Sequence, residues 1–156
     1  IKSVEKVSSG NKGTIVCIGN TVLDAYILKK IFSQKKIKFD IIKILSINPL
    51  KVNMIINSVK KTKNLILLEP THKSMSVSSE ILARVHTSGV FFRSKIISNE
   101  EMSVPTSFYL SYKVYPQIKK TVKIICNFLS INSNFDTSKY SQKLHDIPNK
   151  NFRGPF

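Results

Sequence analysis

The sequence has no tryptophan, five glycines in 156 residues, two cysteines, three histidines and only nine carboxylates. Each shortage excludes something. Two cysteines, Cys17 and Cys126, cannot build the disulfide framework of a small secreted domain. Cys17 falls in an apolar run and Cys126 in a helical pattern, so both read as reduced structural thiols. The histidines, His72, His86 and His145, stand far apart, without the i, i+4 relation or the neighbouring cysteines of a metal site. Unbroken apolar runs such as Leu65 to Leu68 fall far short of the roughly 20 residues needed to cross a bilayer. No signal-peptide pattern opens the chain; the cytoplasm is the expected compartment, with an organelle as the alternative. It begins at Ile1 and not at a methionine, so further polypeptide is expected upstream.

The scarcity of glycine also excludes phosphate loops. A dinucleotide fingerprint needs three glycines, for the turn, the pyrophosphate and the helix contact. The turn after the first apolar strand has one, Gly19, followed by Asn20-Thr21-Val22. No glycine-led Lys-Ser or Lys-Thr loop and no nucleophile elbow occurs either.

What is abundant is lysine. The formal charge is +16, with 25 lysines and arginines together, of which Arg84, Arg93 and Arg153 are the only arginines. Readers of bases and phosphates favour the rigid guanidinium fork, so a lysine-borne charge is a weak sign of nucleic acid. The lysines come in pairs, Lys29-Lys30, Lys35-Lys36, Lys60-Lys61 and Lys119-Lys120, on solvent faces of expected helices. With the many isoleucines and asparagines, they read as the solvated surface of an AT-rich coding sequence. A basic nucleic-acid-binding or scaffold module is the alternative function.

Apolar periodicity alternates between strand and helix. Strands are expected at Thr14 to Ile18, Phe39 to Leu45, Asn64 to Leu68 and Val90 to Ile97, with an edge strand at Ser3 to Val7. Helices are expected over Asn20 to Lys35, after Pro49 (Val52, Ile55, Ile56 and Val59 forming one face), over Val77 to Thr87 and over Pro116 to Leu129. Asn20 or Thr21 caps the first of these, and Asn48 caps the second with Pro49 at its first position. Such alternation predicts a three-layer α/β/α sandwich around a mainly parallel, about five-stranded mixed sheet. Residues 1–129 form the domain. Residues 130–156 form a polar tail ending in Phe152-Arg153-Gly154-Pro155-Phe156, whose aromatics imply a surface to cover.

Few residues offer chemistry. Glu69 stands at the expected carboxyl end of a parallel strand, where α/β domains place ligands, although a lone glutamate there also caps helices. His72 follows it, with Ser74 and Ser76 nearby. No catalytic set, cofactor site or metal site is legible.

The order of landmarks is more specific. The succession GTIVCIG (Gly13 to Gly19), FDIIKILSINPL with Pro49 and Leu50, SVKKTKNLILLE ending at Glu69, and SSEILARV with Glu80 and Ile81 resembles the C-terminal domain of the transketolase family. Its nearest likeness is the beta subunit of the 2-oxoacid dehydrogenase first component, the pyruvate type. Arg93 on the following strand, then Pro105, Leu110 and Tyr115-Pro116, continue the resemblance. Met75 to Ser79 (MSVSS) lacks the family's usual loop glycines, and Ser111 replaces an acidic residue. The resemblance implies a domain that stabilises a dimer and belongs to a thiamine diphosphate-dependent enzyme. The cofactor and its divalent metal would be held by two upstream domains or a partner subunit and not by this chain. Glu69, His72, Glu80 and Arg93 would then be interface or structural residues. A homo-oligomer is expected, and an acyltransferase component is a further partner.

Overall fold

The computed structural model describes residues 2–107, 110 and 113–140. Strands and helices follow in the order β1 (Val4–Ser8), β2 (Thr14–Ile18), α1 (Thr21–Ser33), β3 (Asp40–Ile44), α2 (Asn53–Thr62), β4 (Asn64–His72), α3 (Val77–Thr87), β5 (Arg93–Asn99) and α4 (Ile118–Leu129). The sheet order is β1-β3-β2-β4-β5. β1 runs antiparallel to β3, and the other neighbours are parallel. This is the expected α/β sandwich with a mixed sheet.

The inner strands β3, β2 and β4 are buried on both faces, and their period of two sends alternate residues to opposite helix layers. Ile15, Cys17, Ile41, Ile66 and Leu68 pack with Leu28, Ile31 and Phe32 of α1 and Val122, Ile125 and Cys126 of α4. Val16, Ile18, Ile42, Leu65 and Leu67 pack with Ile55 and Val59 of α2 and Ile81 and Val85 of α3. β2, buried along its whole length, is the centre of the molecule.

Three local expectations are corrected. Pro49 does not start α2; it follows a cis Asn48–Pro49 bond, and the helix begins at Asn53 behind Val52. The turn is held instead by the Ser3 hydroxyl donating to the Pro49 carbonyl at 2.6 Å and by burial of Leu50. β4 does not stop at Glu69-Pro70 but continues to His72. Pairing with β2 ends at Leu68, so Pro70 lacks an N–H where no β2 ladder remains, and its carbonyl accepts from Asn99 Nδ2 at 2.9 Å. β5 begins at Arg93 and not at Val90, because Arg93 is the residue aligned with the first residue of β4, Asn64.

At the other end of the expected domain the chain does not leave the core. Ser130 turns the chain in the left-handed region (φ 52°), and Phe135 then packs edge-on against Phe32 with centroids 4.9 Å apart. Phe152, Arg153 and Phe156 lie outside the described residues, as do Ser111 and His145.

Candidate functional site

In an open parallel sheet, ligands bind in the crevice where successive crossovers leave in opposite directions. Here that point lies between the carboxyl ends of β2 and β4, since α1 leads to β3 on one side and α3 to β5 on the other. Gly19 makes the turn after β2 at φ +57°, a conformation that glycine adopts without a Cβ clash. Asn20 stands at the N-cap of α1 without a side-chain cap bond. The Thr21 hydroxyl accepts from the Ile18 N–H at 2.9 Å and lies within donating distance of the Ile18 and Leu68 carbonyls, at 2.8 and 3.0 Å. It therefore ties the two strand ends together where a ligand would otherwise part them.

What is left of the crevice is about 20 Å³, walled by Thr21, Asp24, Glu69 and Asn99 and closed by Tyr115 and Pro116. That is room for one water molecule. Glu69 is buried, its Oε2 accepting the Ser78 N–H at 3.0 Å and its Oε1 the Thr71 hydroxyl at 2.9 Å. Together with Ser76, whose Oγ accepts from the Ser79 N–H at 3.2 Å, it occupies the positive end of α3. The carboxylate does the work an incoming anion would do.

The other sequence-singled residues do not converge on it. His72 Nδ1 lies 2.8 Å from the Glu100 carbonyl, bridging β4 to the chain after β5. Glu80 is exposed and pairs with Arg84 one turn on, at 2.6 Å. Arg93 sits at the opposite end of the sheet, donating to Asn64 Oδ1 from Nε and Nη2 at 3.2 and 3.0 Å. Ser74 is held by Glu101 and Ser76 by its capping role, so neither faces His72 as a nucleophile. Among the described residues, no three His, Cys, Asp or Glu side chains group to hold a metal ion. No helix among them is long and apolar enough to cross a membrane.

The most connected polar centre went unsuspected in the sequence. Asp40 opens β3, fully buried at the amino end of the sheet. Its Oδ1 accepts the Gly10 N–H at 2.7 Å. Its Oδ2 accepts the Ser58 hydroxyl at 2.6 Å and pairs with Lys61 and Lys6 at 2.9 and 3.0 Å. Burial pushes this carboxyl up, but Ser58, Lys61, the Gly10 N–H and Lys6 together outweigh it and hold it at about 2. Ser58 continues the network to Thr14, and Thr14 to Thr62, each at 2.7 Å. The available signal was a lone aspartate heading an isoleucine strand, where only a satisfied charge survives burial. Its arrangement is closed and acceptor-saturated, which is structural chemistry.

Cys17 lies at the centre of β2, its thiol pushed up to about 12 by burial, with Lys43 pulling weakly the other way. It is protonated and inert at neutral pH. An open groove of about 850 Å³ separates α4 from residues 135–140 and is lined by Lys119, Lys123, Phe135 and Tyr140.

Comparison with known proteins identifies relatives of the chain. Residues 2–114 match the family model described as "Transketolase, C-terminal domain". The chain is 33% identical over 104 residues to the mitochondrial pyruvate dehydrogenase E1 component subunit beta of Saccharomyces cerevisiae. That alignment covers 63% of this chain and 28% of the yeast protein, so the chain spans well under half of its relative. A solved structure titled as a split gene transketolase, inactive beta4 tetramer, superposes with TM-score 0.71 at 16% identity, over 82% of this chain and 42% of that one. The chain belongs to the transketolase C-terminal domain family.

Proposed function

We propose that this chain is the assembly and dimer-stabilising domain of a thiamine diphosphate-dependent enzyme, a 2-oxoacid dehydrogenase of the pyruvate type or a transketolase-like enzyme. On this reading it carries no complete active site of its own. The carrying observation is the match of residues 2–114 to the transketolase C-terminal domain, and it is supported by the switch point, where Glu69 already occupies the α3 terminus. Glu69 fills the place an incoming diphosphate would take, and this reading assigns the cofactor and its divalent metal to upstream domains or a partner subunit.

The assembly role is supported by the apolar side chains around that crevice. Leu45 and Ile47 after β3, Met75 after β4, and Met102 and Val104 after β5 are all exposed, Met75 fully so. Apolar loops gathered at one end of a sheet mark a surface that another protein covers. A further copy of this chain and the thiamine-binding domains are the occupants this reading assigns. An acyltransferase component is a third partner, though a chain of charge +16 does not supply the acidic surface that a basic docking segment would need. The yeast relative's mitochondrial name supports the organelle over the cytoplasm as its compartment.

Two measurements test the reading. The coding sequence upstream of Ile1, or an adjacent gene, is expected to encode a thiamine-binding α/β domain; finding none defeats it. Titrating the isolated chain with thiamine diphosphate and magnesium is expected to give no saturable heat. A stoichiometric isotherm would show that the chain holds the cofactor itself.

A further inference from the structure

The amino end of the sheet, opposite the apolar loops, carries an unbalanced charge. Each parallel strand is entered past cations: Lys12 before β2, Lys36 and Lys38 before β3, Lys60 and Lys63 before β4, and Arg93 at the start of β5. All six side chains are exposed. Among the described residues, two carboxylates stand against them. Asp40 is buried and already taken by Lys6 and Lys61. Asp136, on the flank beside Gln34, has its Oδ1 engaged by the Ser138 N–H and hydroxyl.

Helix dipoles explain part of this pattern, since Lys60 lies in the last turn of α2, where a cation is favoured. They bear also on Lys63, the C-cap of α2, but do not explain Lys12, Lys36 or Lys38, which lie in connections outside the helices. Beside these cations stands Phe91, 87% exposed and two residues before Arg93, whose N–H donates to the Lys63 carbonyl at 3.0 Å. A large aromatic exposed to this degree in a ring of point charges has the make-up of an interface anchor.

We propose that this end of the sheet is a docking surface for an acidic protein segment, its carboxylates meeting the lysines and an apolar side chain packing on Phe91. Protein is favoured over nucleic acid by the chemistry of the surface. Single-strand binders interleave cations with repeated stacking platforms, and duplex readers use arginine forks. Here one exposed aromatic stands among lysines, and the one arginine is spent on Asn64. The surface is separate from the apolar loops, so it stands or falls independently of the assembly role.

The test measures binding of a fluorescent peptide of repeated Glu-Glu-Leu to the full chain by anisotropy, across a salt series. Lys12→Gln/Lys38→Gln/Lys60→Gln is expected to weaken binding about tenfold and flatten the salt dependence. Phe91→Ser should weaken it several-fold with the salt dependence unchanged. Lys51→Gln/Lys73→Gln/Lys119→Gln, which removes the same charge at the opposite end, should leave binding as it was. Equal losses in the two triple variants, or no binding by the unaltered chain, overturn the proposal. Tighter binding of a DNA duplex of matched charge through the same lysines overturns it in favour of nucleic acid.

Discussion

At the carboxyl end of the sheet the helices present their N-termini, and Asp24, Glu69 and Glu80 stand there; at the amino end α1 and α2 arrive with Lys30, Lys60 and Lys61 in their last turns. The backbone dipoles of a parallel sandwich sort charge in this direction by themselves. The two ends differ further in how a buried carboxylate is satisfied. Glu69 is held by Thr71 and Ser78, both within nine residues. Asp40 is held by β1, by the turn before β2 and by α2 at once. One carboxylate is satisfied locally, the other by contacts that exist only when the whole sheet has formed.

That contrast predicts unequal costs. Asp40→Ala leaves Ser58, the Gly10 N–H and two lysines without their acceptor and is expected to destabilise the fold by about 3 kcal/mol in urea unfolding. A cost below about 1 kcal/mol would show that water replaces the carboxylate freely. The same site sets the acid limb. Its folded value of about 2 lies below the ordinary 3.8, so its contribution is complete above pH 4 and is lost as pH falls towards 2. With Lys6 and Lys61 partly solvated, the loss should be about 1 to 2 kcal/mol, and Asp40→Asn should abolish that part of the dependence.

Glu69→Ala removes a local cap and should cost less, about 1 to 2 kcal/mol, read by thermal or urea unfolding. An equal or larger cost than at Asp40 would erase the distinction between the ends. The smallest effect on the isolated domain is expected at the apolar loops. Leu45→Ser, Ile47→Ser and Met75→Ser should each shift stability by under about 0.5 kcal/mol while moving sedimentation towards the smallest species. Unchanged assembly in the triple variant would leave those loops without a partner.

Much of the fold was legible because apolar spacing reports it directly. Ile55, Ile56 and Val59 lie on the helix their spacing implied, with Val52 at its N-cap, and TIVCI is the central strand. The misjudged boundaries share a cause, which is that long-range pairing overrides local cues. Pro49 is held in a cis turn with Ser3 forty-six residues away, and β4 outlasts Pro70 because Asn99 of β5 keeps it company. Glu69 was noticed because its place at a strand end is local information. Asp40 was not, since Gly10, Ser58 and Lys61 become its neighbours only through the topology.

The thiol at the middle of β2 makes the chain a reporter of its own breathing. Cys17 is fully shielded and held protonated, so an alkylating reagent meets it only after the central strand has parted from its neighbours. Its rate of modification therefore times the deepest opening of the domain, and anything that clamps either end of the sheet would be read there as a slower clock.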